Sequence, residues 1–109
     1  MPVSRVPKLK ISKRTAPPEW ALLELTLLRT QSDACREFFE RYFDDRGYLN
    51  CIPRWGGNDG PDDAAENFLN WTILHALGGP DDVLNMYKTA WEGHLRQYTE
   101  AKTTSVPLA

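Results

Sequence analysis

The chain is poor in the residues that announce chemistry most plainly. It holds two cysteines, two histidines and two methionines in 109 residues. Cys35 sits in a helical pattern and Cys51 in an extended one. Two cysteines so placed make no disulfide framework, and two buried free thiols are the expected state. His75 and His94 each lack a partner at helical metal-ligand spacing, which argues against zinc. Both are read as core histidines, and no metal or cofactor is expected. No nucleophile elbow, phosphate loop or dinucleotide fingerprint occurs. Long apolar runs are missing as well. Nothing approaches the ~20 apolar residues of a membrane span. The N-terminus lacks the apolar run of about 7–15 residues that marks a secretory signal. The expectation is a soluble chain with no membrane partner and no readable address. Nor is there a basic surplus: a net charge of −2 excludes a general nucleic-acid binder.

What the chain does hold is the composition of one globular domain, or part of one, with 41% hydrophobic residues to build a modest core. Its charge is unevenly spread. Residues 1–14 carry five basic side chains (Arg5, Lys8, Lys10, Lys13 and Arg14) and no acid, whereas the remainder has eight basic residues against fifteen acids. Residues 1–16 therefore read as a basic arm, with a short alternating strand expected at 8–12. A helical domain is expected over 17–102, followed by a frayed tail at 103–109.

Within that domain the punctuation is helical throughout. Pro17-Pro18-Glu19 suits a helix start, since proline fits the first turn and an acid favours the positive end of the dipole. Apolar residues then recur at helical spacing from Trp20 to Phe43. Thr30-Gln31-Ser32-Asp33 is a candidate break, with Ser32 or Asp33 capping a second piece. Asp44-Asp45-Arg46-Gly47 ends the helix, and residues 48–55 read as extended, part of one long loop over about 46–60. A further helix is expected over about 61–77, apolar around most of its circumference and so buried on nearly all sides. Gly78-Gly79 stops it. Pro80-Asp81-Asp82 starts a last helix with a single apolar stripe that includes Trp91, His94 and Tyr98. The predicted fold class is all-α, built from antiparallel helical hairpins.

The run from Arg54 to Asn67 concentrates an arginine, a tryptophan, three glycines and four carboxylates. Part of it is explained locally. Gly60-Pro61-Asp62-Asp63 recurs as Gly79-Pro80-Asp81-Asp82 before a plain amphipathic helix, so this tetrapeptide reads as helix-start chemistry. Its flanks are not explained that way. Asp59 lies in the glycine-rich turn, Arg54 and Trp55 stand on its rim, and Asp62, Glu66 and Asn70 follow i, i+4, i+8 spacing along one helix face. Two readings stand. In one, Arg54 neutralises Asp59 or Glu66 in a structural network. In the other, the carboxylates face a polar cleft and Trp55 offers a flat ring to a sugar, with Asp59 and Glu66 as an acid/base pair and Arg54, Asp62 and Asp63 as binding residues. Dense oxygen ligands also permit a calcium-stabilised loop at 58–66, although the EF-hand order is absent.

Through Tyr48–Asp63, and again through Ala90–Glu100, the chain resembles bacterial six-hairpin α/α-toroid proteins of the glycoside-hydrolase-like and polysaccharide-lyase-like type, over roughly residues 18–102. The resemblance implies a toroid of helical hairpins around a carbohydrate cleft, a glycan substrate, and Arg54, Trp55, Asp59, Asp62, Asp63 and Glu66 facing that cleft. Such toroids are several times longer than this chain, which has room for about one and a half hairpins. The resemblance therefore implies a segment of a carbohydrate-active enzyme, inactive when isolated. It is expected to expose apolar surface and to join the rest of a toroid or self-associate. The alternative is a non-catalytic helical interaction module with a structural Asp/Arg cluster.

Overall fold

A computed structural model describes residues 6–50 and 60–100. The protein is all-α. Among the described residues four helices follow one another: α1 (Glu19–Tyr42), α2 (Pro61–Glu66), α3 (Trp71–Ala76) and α4 (Asp81–Glu100). Residues 6–18 are exposed and form neither helix nor strand, so the strand expected at 8–12 is not present. Among the described residues there is no second strand for it to pair with, and a lone strand leaves its backbone groups unsatisfied.

The helix starts obey the local rules. Glu19 provides the acid in the first turn of α1, Pro61 occupies the first turn of α2, and Asp81 and Asp82 open α4. Both copies of the Gly-Pro-Asp-Asp tetrapeptide thus begin a helix. The stop after α3 is a Schellman motif. Gly78 takes φ 114°, and the amides of Gly78 and Gly79 donate to the carbonyls of His75 and Leu74, each at 3.0 Å.

Two expectations about helix continuity are corrected. α1 runs unbroken through residues 30–33. The Thr30 hydroxyl donates to the Thr26 carbonyl at 2.9 Å and the Ser32 hydroxyl to the Leu28 carbonyl at 2.7 Å, so neither hydroxyl is turned toward a helix-starting amide. The helix expected over 61–77 is instead two short helices. Asn67 donates its side-chain amide to the carbonyls of Asp63 and Ala64, both at 3.1 Å, and the backbone tightens to i→i−3 bonds at Asn67, Phe68 and Trp71. This turn aims Phe68 into the core and leaves Leu69 outside. Leu69, Ile73 and Leu77 are exposed, so the segment is not buried on nearly all sides as its composition suggests.

α3 packs on α4 through the Gly78-Gly79-Pro80 turn, α1 lies against both, and α2 packs on α4. The core is strongly aromatic. Phe68 has no exposed surface and touches the rings of Phe43, Trp71, Tyr87, Trp91 and His94 at centroid distances of 5.7–6.4 Å. Phe39 stacks on Phe43 at 4.9 Å. Arg36 ties α1 to the start of α4 by gripping both carboxylate oxygens of Asp82, while also holding Asp33 at 2.7 Å.

After α1 the chain folds back on itself. Phe43 and Leu49 form an antiparallel bridge, and the Asn50 amide donates to the Tyr42 carbonyl at 2.7 Å. Asp44 organises the bend. Its carboxylate accepts the amides of Arg46 and Tyr48 and the Arg46 side chain, and this ion pair with Arg46 holds it below the usual carboxylate range. Gly47, at φ 77°, lets the bend lie directly on α4 at Gly93. Gln97 then completes the junction: its side-chain oxygen accepts the Leu49 amide at 3.2 Å and its nitrogen donates to the Leu49 carbonyl at 3.1 Å.

Candidate functional site

Of the predicted site residues, Arg54, Trp55 and Asp59 lie outside the described residues, as does Cys51. The structure does define the two ends of the segment that carries them. Asn50 is pinned to the end of α1, and Gly60 caps the start of α2. Asp62 and Glu66 lie one turn apart on α2 and are exposed, and neither is paired with a described residue. Asp63 is half-buried and has an interaction partner. Asn70 is exposed too, so the polar strip Asp62–Glu66–Asn70 meets solvent instead of a buried network.

The two histidines differ. His75 is half-buried, and its Nε2 lies 2.9 Å from an Asp81 oxygen at the start of α4. It is satisfied as expected, but it lies half-buried at the surface and not in the core. His94 is only 8% exposed. It packs among Phe68 at 5.7 Å, Trp91 at 5.6 Å and Tyr98 at 4.8 Å, with the Trp91 ring within 16° of parallel. Core packing is therefore correct for His94, yet no described residue hydrogen-bonds either ring nitrogen. Burial alone pushes its pKa below the ordinary 6.5, which favours a neutral imidazole. Trp91, at 37% exposed, forms the open side of this cluster. The i, i+3, i+7 spacing of Trp91, His94 and Tyr98 was visible in the sequence; the missing hydrogen-bond partner was not.

On the same helix, Arg96 donates to the Arg46 carbonyl at 2.9 Å, and Arg46 lies 4.0 Å over the Tyr48 ring. Burial, with the Glu100 carboxylate as hydrogen-bond acceptor, raises the Tyr48 hydroxyl above its usual range. Arg96 and Glu100 therefore help to hold the 43–50 bend against α4. Cys35 is free and half-buried, and burial raises its thiol pKa.

A groove of about 370 Å³ lies between Leu25, Leu28 and Arg29 of α1 and the Gly78-Gly79-Pro80 turn, and none of the predicted site residues lines it. Among the described residues no His/Cys/Asp/Glu group could hold a metal ion, and no helix is long and apolar enough to cross a membrane.

These features define an all-α domain of helical hairpins with an acid-bearing α2 and an aromatic–imidazole cluster on α4. Residues 9–107 match a family described as a domain of unknown function (DUF8034), and the chain belongs to that family. No curated protein and no solved structure matches it.

Proposed function

We propose that this chain is a segment of a carbohydrate-active protein, a glycoside hydrolase or polysaccharide lyase of α/α-toroid type, and contributes a wall of its glycan cleft. In this reading Arg54 holds an anionic or hydroxyl group of the glycan and Trp55 stacks on a sugar ring. Asp62 and Asp63 line the cleft, while Asp59 and Glu66 are the acid/base carboxylates. The observation that carries the reading is the state of Asp62 and Glu66. They are exposed on one side of α2 with no described ion-pair partner, as groups that meet a ligand are and as members of a neutralised buried network are not. Calorimetry with oligosaccharides, together with turnover by the toroid-length protein, tests it. Asp59→Ala and Glu66→Gln should each abolish turnover; unchanged binding and turnover in both would refute the assignment.

The exposed apolar faces favour a second reading as a helical interaction module. Trp20 (67% exposed), Leu23 and Leu27 share one side of α1, and Leu69, Ile73 and Leu77 (65% exposed) recur every four residues across α3. In the first reading neighbouring toroid hairpins cover these faces; in the second, a partner protein or another copy does. Light scattering on the chain discriminates: a monomer that binds no hydrophobic dye would count against the interaction module.

A further inference from the structure

We propose that Trp91 and His94 form a sugar-binding subsite on α4, in which the indole carries the apolar face of a neutral pyranose and the imidazole hydrogen-bonds one of its hydroxyls. The inference rests on the carbohydrate reading but adds residues outside the 54–66 run.

Its starting point is an imbalance in the core. A ring more than nine-tenths buried has two nitrogens and no described hydrogen-bond partner for either. Buried polar groups are almost always satisfied, and leaving one unsatisfied forfeits its interaction with water without replacement. The surroundings do not require a histidine. Phe68, Trp91 and Tyr98 are ring neighbours at 4.8–5.7 Å, and a phenylalanine would meet them equally well. The imidazole is thus poorly explained by packing and well explained by a ligand that supplies the missing partner.

The chemistry of that ligand follows from the cluster. The only described cause acting on His94's charge is burial, so no carboxylate stands by to stabilise an imidazolium. A neutral imidazole offers one N–H donor and one bare nitrogen acceptor. A hydroxyl, which both donates and accepts, matches either tautomer. A metal ion is a poorer fit, because no group of three or more described His, Cys, Asp or Glu side chains could hold one. Access also has a direction. Phe68 closes the inner side, while Trp91 is the exposed member and lies nearly parallel to the imidazole. A flat apolar ring beside a hydrogen-bonding edge is the pairing that a pyranose presents in reverse: an apolar C–H face and a rim of hydroxyls.

The test uses the full chain with three neutral probes: xylohexaose, mannopentaose and cellopentaose. Calorimetry measures affinity, and two-dimensional ¹H–¹⁵N spectra follow the imidazole nitrogens. We expect at least one probe to bind and to shift the His94 ring signals. His94→Phe should melt no lower than the parent and bind about tenfold more weakly, the loss expected from one hydrogen bond. His94→Gln, which restores a donor and an acceptor, should recover part of that loss, and Trp91→Ala should weaken binding as well. If a probe binds the parent and His94→Phe alike and leaves the ring signals unmoved, the subsite is wrong while the carbohydrate reading stands. Should no probe bind the folded parent, the subsite is refuted, while the carbohydrate reading is decided by the toroid-length protein. If His94→Phe does not fold, the ring signals of the parent decide alone.

Discussion

Gly93→Ala is the substitution for which local and tertiary physics disagree most sharply. Gly93 lies inside α4, where alanine is intrinsically favoured by about 1 kcal/mol. Propensity alone therefore predicts a more stable protein. The structure predicts the reverse. A methyl group there would overlap the carbonyl oxygen and carbon of Gly47 and lie 2.9 Å from its Cα, against about 3.5–4.0 Å for an ordinary carbon contact. The obstacle is backbone and cannot rotate aside. Gly47 is itself held at φ 77° by its amide bond to the Asp44 carbonyl at 2.9 Å, and a methyl added to it would meet the Thr89 carbonyl at 2.6 Å. The 43–50 bend must lift from α4, which also breaks the paired bonds between Gln97 and Leu49. Overpacking costs up to about 3 kcal/mol, and two lost hydrogen bonds about 1 kcal/mol each. Set against the propensity gain, the net loss is about 2–4 kcal/mol, a large part of the stability of a domain this size. Urea unfolding followed by circular dichroism and tryptophan emission measures it, with Glu92→Ala as an exposed control that should move stability by no more than about 0.5 kcal/mol. A Gly93→Ala protein as stable as the parent would refute the packing of the bend on α4.

Phe68→Ala should cost about 3–5 kcal/mol in the same assay, because Phe68 is fully buried at the junction of the α1, α2–α3 and α4 aromatics. His94 makes stability pH-dependent with a definite sign. Its folded pKa lies below 6.5, so between the folded value and 6.5 the unfolded chain binds more protons and stability rises with pH. Its contribution is complete above pH 6.5 and lost as pH falls through the folded value. The rings packed on it, Phe68, Trp91 and Tyr98, carry no charge in this range. Melting temperatures at pH 7.5 and 5.0 should therefore differ less in His94→Phe than in the parent. Leu23→Gln with Leu27→Gln should lower hydrophobic-dye binding and any association seen by light scattering, with little loss of stability, since both side chains are exposed.

The helical class and most helix ends were legible because their causes are local. Pro17-Pro18-Glu19, both Gly-Pro-Asp-Asp tetrapeptides and Gly78-Gly79 act through proline geometry, the helix dipole and left-handed glycine, all within a few residues. The misjudged points have causes that periodicity does not record. Ser32 resembled a cap, but within α1 its hydroxyl bonds to Leu28. Asn67 lies inside the helix expected over 61–77, but its side chain bonds to the carbonyls of Asp63 and Ala64 at the end of α2. Of the candidate site, Asp62 and Glu66 sit on one side of α2 as their spacing required, while their exposure contradicts the apolar composition around them.

The sequence by itself determined an all-α chain, the starts of its helices and the acidic character of α2, because backbone preferences and end charges act over one or two turns. Only the tertiary structure decided which apolar residues are buried. It sends Phe68 inward and leaves Leu69, Ile73 and Leu77 outside, since burial depends on which helices are present to cover a face. It also decided that Gly93 is a docking point and that His94 is buried without a hydrogen-bond partner among the described residues. Both depend on contacts between residues far apart in the chain, where spacing along one helix carries no information.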